Sequence, residues 1–150
     1  MKYLPALTLA LLVLACGGQD NAPVADTAAV QTTDSSEWIQ DDFDAAMSVA
    51  AETGKPVFID MYADWCGPCR MLADDYFTRD DYKQVLSQCI LLKINIDNYP
   101  EIADEFGVQS IPTLILSDAD GNEIDRITGV MGSPEEFLPI LSELISRGIQ

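Results

Sequence analysis

Histidine is absent from the 150 residues, and cysteine occurs only four times, at Cys16, Cys66, Cys69 and Cys89. A structural zinc site takes four nitrogen or sulfur ligands. With no histidine and no second closely spaced cysteine pair, zinc is a poor alternative for the one pair present, and no metal site is expected. Cations are scarce as well: eight Lys and Arg stand against 25 Asp and Glu, for a formal net charge of −17 at pH 7. Such a balance argues against nucleic acid and bare anionic lipid as partners. The acids are spread along the chain, so they read as a solvated acidic surface, with a basic docking partner as the alternative. No apolar run approaches the ~20 residues that a membrane-spanning helix needs, and no internal repeat or low-complexity domain is present.

The pentapeptide Trp65-Cys66-Gly67-Pro68-Cys69 follows directly on the apolar run Pro56 to Tyr62. Val57, Phe58, Ile59, Met61 and Tyr62 suit a buried strand. Pro68 suits the first turn of a helix, where its missing N–H is no loss, and Arg70 to Phe77 continues with helix-tolerant residues. Cys66 is thereby expected at a helix N-terminus, where unpaired N–H groups favour the thiolate that attacks a disulfide. Cys69, one turn on, is expected to resolve the mixed disulfide. The competing readings are half of a zinc site and a purely structural bridge.

At the amino end, Met1-Lys2 precedes an apolar stretch from Tyr3 to Leu14 interrupted only by Thr8. A charged start, a short apolar core and a small-residue end are the pattern of a secretory signal. Val13-Leu14-Ala15-Cys16 resembles the lipobox of bacterial lipoproteins, which implies a leader over residues 1–15 and lipidation of Cys16. An ordinary signal with a soluble periplasmic or secreted product is the alternative. Residues 16–36 are rich in Gly, Asp, Asn, Ala, Thr and Ser, too poor in large apolar side chains to offset ordering entropy, and read as a tether. Residues 37–150 suffice for one compact core and are too few for two ordinary domains.

Within that domain, Asp41 or Asp42 is predicted to cap a helix ended by Gly54, and a second buried strand to span Cys89 to Ile96. A short helix is predicted over Tyr99 to Phe106. Two strands follow, Thr113 to Ser117 and Glu123 to Thr128, joined by the Asp-Gly turn chemistry of residues 118–122. Ser133-Pro134-Glu135-Glu136 opens a last amphipathic helix. The order helix, strand, helix, strand, helix, hairpin, helix predicts an α/β domain in three layers around one mixed sheet. Cys89 and Trp38 are expected to serve packing.

These features together resemble the thioredoxin superfamily over residues 38–150. The Trp65 to Cys69 motif matches its active site residue for residue, and Ile111-Pro112-Thr113 matches the loop whose proline is cis and faces the thiols. Asp60 matches the buried carboxylate, Lys93 its lysine partner, and Gly129 the glycine that lets a substrate chain approach. The resemblance implies a thioredoxin fold, a central mixed β-sheet flanked by helices. It implies Asp60 as the proton acceptor for Cys69, held partly neutral by burial, with Lys93 opposing that shift. Trp65, Gly67, Pro68, Ile111, Pro112 and Gly129 would form the substrate surface. An exposed strand-end Asp60 and a trans Pro112 are the alternatives.

Tyr62 to Cys66, Tyr76 to Asp80 and Ile127 to Gly129 look most like the carboxy-terminal periplasmic domain of DsbD and related lipoprotein thioredoxins, although Gly67-Pro68 is the pair of thioredoxin itself. The short connection from Cys69 to Pro112 argues against the DsbA-like and cytochrome-maturation branches. The expectation is an envelope thiol-disulfide oxidoreductase, working as a monomer with no cofactor beyond its Cys66–Cys69 couple. It would reduce exported disulfide-containing proteins or relay electrons from a DsbD-type membrane donor. A disulfide oxidase or isomerase, and a tethered binding module regulated by its dithiol, are the competing functions.

Overall fold

The computed structural model describes residues 37–149; the expected leader, the tether and the Cys16 anchor lie outside the described residues, as does Gln150. The chain forms β1 (Trp38–Gln40), α1 (Phe43–Thr53), β2 (Val57–Tyr62), α2 (Gly67–Met71), a π-helical turn (Leu72–Tyr76), α3 (Asp80–Leu86), β3 (Ile90–Asn95), α4 (Pro100–Glu105), β4 (Thr113–Ser117), β5 (Glu123–Thr128) and α5 (Pro134–Ser146). The strands make one sheet in the order β1-β3-β2-β4-β5. β1 and β2 run parallel to β3, while β4 is antiparallel to both β2 and β5.

Alternation along the central strands divides the core in two, because successive side chains leave opposite faces of a strand. Val57, Ile59 and Met61 of β2 join Leu92 and Ile94 of β3 beneath Ala46 and Ala50 of α1. Phe58, Leu91, Leu114 and Leu116 face the other way, against Leu72, Tyr76, Phe77, Tyr82, Phe137 and Leu141. The second layer therefore carries the segment after the cysteines, together with α3 and α5. Asp60 and Tyr62 share the parity of Phe58, so they too leave β2 on this face.

Two local features differ from the sequence expectation, and a third settles an alternative it left open. Trp38–Gln40 is an edge strand paired with Leu91–Lys93, three residues being too few to show a period. The helix expected to run from Arg70 to Phe77 instead widens into the π-helical turn at Leu72. Asp42 alone caps α1, accepting from the Ala45 N–H at 2.9 Å. Asp41, at φ 55°, accepts the Asn95 N–H at 2.7 Å and ties the start of α1 to the end of β3.

The π-helical turn and α3 are strapped to Gly132 and to the first turn of α5. The Tyr76 hydroxyl donates to the Gly132 carbonyl at 2.9 Å, the Tyr82 hydroxyl to the Pro134 carbonyl at 2.7 Å, and Arg79 to Glu135 at 2.7 Å. Among the described residues no helix is long and apolar enough to cross a membrane.

Candidate functional site

The site stands where β2 leaves the sheet. Cys66 is the N-cap of α2, with extended backbone and a sulfur that accepts the Cys69 N–H at 3.2 Å. Its own N–H donates to the Ala63 carbonyl at 3.0 Å, closing the turn. Pro68 occupies the first turn, where no donor is needed. Cys66 and Cys69 are joined in a disulfide with Cα atoms 5.3 Å apart. Both are buried with Ala63, and Tyr62, Ile96 and Ile111 pack against them. A Cβ placed on Gly67 would meet nothing within 4 Å, so the space above this turn is open.

Two loops complete the rim. The Ile111–Pro112 peptide is cis. The Pro112 carbonyl accepts the Gly129 N–H at 2.8 Å, joining the loop before β4 to the residue after β5. Gly129 holds φ 82° with open space at its missing Cβ, so its backbone angle rather than a close neighbour calls for glycine. Trp65 is 67% exposed. Its indole N–H donates to Asp97 Oδ2 at 2.8 Å, and the Asp97 N–H donates to Asn95 Oδ1 at 3.0 Å. Asp97 and Asn95 were not among the residues singled out from the sequence. Their signal was the run Lys93-Ile-Asn-Ile-Asp97, whose last carboxylate lies just beyond β3, level with the end of β2.

Asp60 leaves β2 on the face of Phe58, is 1% exposed and pairs in register with Lys93 across β2 and β3. Among the described residues neither carboxylate oxygen has a hydrogen-bond partner. Lys93 Nζ lies 3.7 Å from Oδ2, an ion pair just beyond hydrogen-bond range. The same ammonium sits over the rings of Trp38 at 4.9 Å, Tyr62 at 5.7 Å and Phe77 at 6.0 Å, a geometry in which aromatic faces attract a cation. Burial pushes the Asp60 carboxyl up to about 6 and Lys93 pulls it back only in part. Cys89 is buried in the core, and burial pushes its thiol up to about 12, which leaves it neutral and unreactive.

The structure thus gathers Cys66, Cys69, Trp65, Gly67, Pro68 and Ile111 around one exposed turn. It links Pro112 to Gly129 and pairs Asp60 with Lys93 inside the sheet.

Residues 43–145 match the family description Thioredoxin-like domain. The chain is 38% identical over 90 residues to the H-type thioredoxin of Oryza sativa subsp. indica, an alignment covering 60% of this chain and 70% of that protein. It is 45% identical over 74 residues to the thioredoxin of Chlamydia caviae, covering 49% of this chain and 69% of that one. Among solved structures, wild-type thioredoxin h from poplar superposes with a TM-score of 0.55 at 27% identity, covering 67% of this chain and 86% of the other. A vicinal cysteine pair capping a helix at the end of the central strand, within a chain so matched, is the site of a thiol-disulfide oxidoreductase: the chain belongs to the thioredoxin-like family.

Proposed function

We propose that the protein is an envelope reductant of disulfides, tethered to a membrane through a lipid on Cys16 and close in role to lipoprotein thioredoxins and the terminal periplasmic domain of DsbD. The observation that carries the reductant reading is the pairing of an N-capping cysteine with a deeply buried, incompletely neutralised carboxyl on the strand that leads into it.

The reduced protein presents the Cys66 thiolate, stabilised by the Cys69 N–H that its sulfur already accepts. It attacks one sulfur of a substrate disulfide, forming a mixed disulfide and expelling the first substrate thiolate, which takes a proton from water. Asp60 accepts the proton of Cys69. The Cys69 thiolate then attacks Cys66 Sγ, the mixed disulfide breaks, and the second substrate thiolate departs. Two electrons have passed to the substrate and the Cys66–Cys69 disulfide remains. Trp65, Ile111, Pro112 and Gly129 receive the substrate backbone beside Cys66, and the space over Gly67 and Pro68 admits it. Lys93 limits how far burial raises Asp60, so the acceptor is ionised for half of the molecules near pH ~6 rather than much higher.

The substrates are disulfides of exported proteins and the donor is a membrane thiol protein of DsbD type. The lipobox likeness of Val13 to Cys16 and the thioredoxin-like Gly67-Pro68 pair support that placement and direction.

The reduction potential of the couple, measured against glutathione, is expected near the ~−270 mV of thioredoxin; a value near about −120 mV would mark an oxidase instead. In cells, Cys69→Ala is expected to accumulate mixed disulfides on Cys66, resolvable by reductant on gels. Partners that co-purify without a covalent adduct would favour a docking module. Membrane fractionation of Cys16→Ser should move the protein to the soluble fraction, whereas unchanged partitioning would refute the lipid anchor.

Asp60 makes a prediction of its own. Its carboxyl ionises near 3.8 in the unfolded chain and near about 6 in the folded protein, so folding holds the proton on between those values. This contribution is fully present below pH ~4 and is lost as pH rises through ~6, a difference of up to about 3 kcal/mol. In urea titrations Asp60→Asn is therefore expected to be more stable than the parent at pH 7 by up to that amount and to lack the fall in stability between pH ~4 and ~6. The same variant should resolve its mixed disulfide more slowly, by roughly tenfold to a hundredfold in stopped-flow measurements.

A further inference from the structure

Among the described residues Asp41 alone holds a positive φ, 55°, without being a glycine. L-residues rarely adopt that conformation, and aspartate and asparagine do so most readily. The Asp41 N–H donates to the Lys93 carbonyl at 2.8 Å, continuing the parallel pairing of β1 with β3. In a ladder carried one step further the Asn95 N–H would be the next donor, to a backbone carbonyl of β1. The turn at Asp41 ends that pairing and the side chain takes over, Oδ1 accepting the Asn95 N–H at 2.7 Å.

From Asn95 the hydrogen bonds run on to the thiol site. Asn95 is the last residue of β3 and is 4% exposed. Its Oδ1 accepts the Asp97 N–H at 3.0 Å, and its carbonyl accepts the N–H groups of Asn98 and Tyr99, each at 3.0 Å. Asp97 Oδ2 accepts the Trp65 indole N–H at 2.8 Å. Trp65 is 67% exposed, so packing holds only part of its ring. A carboxylate on a turn beyond the strand restrains such a ring only as far as its own backbone is restrained. That restraint comes from Asn95, and the N–H of Asn95 is held by Asp41.

We propose that Asp41 is a positioning residue for the thiol site: it fixes the end of β3, through Asn95 it fixes Asp97, and through Asp97 it sets the Trp65 ring against which a substrate segment lies. This role rests on the substrate surface proposed above, of which Trp65 is part. It concerns capture of the substrate and leaves the thiol chemistry alone, since none of the three bonds involves either cysteine.

Nitrogen NMR relaxation of the Trp65 indole N–H tests this in the oxidised full chain, with the Trp38 indole as internal control. Asp41→Gly keeps the backbone angle, which glycine adopts freely, and removes the acceptor. Asp41→Asn keeps an oxygen acceptor on a residue that tolerates the angle. In Asp41→Gly the Trp65 order parameter is expected to fall from the rigid range, about 0.85, toward the flexible range below about 0.6. Asp41→Asn should restore it, and Trp38 should stay unmoved in both. Asp97→Ala should produce the full fall by itself, and adding Asp41→Gly to it should change Trp65 no further, the non-additivity of residues that act in one series. In turnover, Asp41→Gly should slow reduction of insulin disulfides by about three- to tenfold. Reduction of hydroxyethyl disulfide, too small to lie along the rim, and the potential of the couple should both be unchanged. Urea titration confirms that each variant is folded, and Asp41→Ser, whose oxygen stops one atom short, repeats the test should Asp41→Gly not fold. An unmoved Trp65 in a folded variant, an equal fall at Trp38, no recovery in Asp41→Asn, additive falls in the double variant, or equal slowing of both disulfides would each overturn the proposal. The relaxation measurements need no turnover, so a failed reductant reading leaves them standing.

Discussion

A carboxyl group buried on the central strand, with one lysine ammonium 3.7 Å away and no hydrogen-bond partner among the described residues, constrains its surroundings. Burying an ionised carboxylate is costly unless it is paired and hydrogen-bonded. Here the pairing is incomplete, and the carboxyl rises to about 6. A group so placed is a poor structural element, and the environment that penalises its charge raises its affinity for protons, which is what the proton-acceptor role proposed for it requires. The cost is carried by the rest of the domain: β2 is flanked by β3 and β4 in the middle of the sheet, and both faces of the strand are packed.

Lys93 is where the two sides of this arrangement meet. Three aromatic rings, Trp38, Tyr62 and Phe77, hold its ammonium by their faces, so the cation is stabilised without being brought into contact with Asp60. A closer, hydrogen-bonded pair would lower the carboxyl further. The aromatic floor thus sets the strength of the pair. Trp38 reaches that floor because Trp38–Gln40 forms an edge strand on β3, and Phe77 because the helix widens at Leu72 before it turns into α3. The two elements that the sequence pattern misses are the two that shape the surroundings of Lys93.

That division has a physical origin. The thiol pair, its helix N-terminus, the central strands and the hairpin were legible because each depends on local chemistry: a proline in a first helical turn, β-branched runs, an Asp-Gly turn. The sequence order also led to a three-layer domain around a mixed sheet, and the matched family bears out the thioredoxin fold. What was not legible depends on partners distant in the chain. Trp38–Gln40 becomes a strand only because β3 offers it an edge, and Asp41 leaves the cap of α1 to Asp42 because the Asn95 N–H competes for its carboxylate. Asp97 meets the Trp65 indole across 32 residues, a contact that no local pattern encodes. The resemblance did point to Asp60 as buried, Lys93 as its partner, Pro112 as cis and Gly129, but without the 3.7 Å gap or the aromatic floor that decide how the pair behaves.

The straps from Tyr76, Arg79 and Tyr82 to residues 132–135 give the same region a second consequence. They run from the π-helical turn and α3 to Gly132, three residues beyond Gly129, and to the first turn of α5. Each of the two hydroxyl-to-carbonyl bonds contributes about 1 kcal/mol, and the exposed Arg79–Glu135 ion pair adds less. Phe77, on which the Lys93 ammonium rests, and the chain just after Gly129 are held by one structural unit, the widened helix and the α3 that follows it. A change there that moves the Lys93 ammonium away from Asp60 raises the carboxyl further, because the pull of Lys93 is what lowers it, whereas a displacement of residues 132–135 leaves that balance alone.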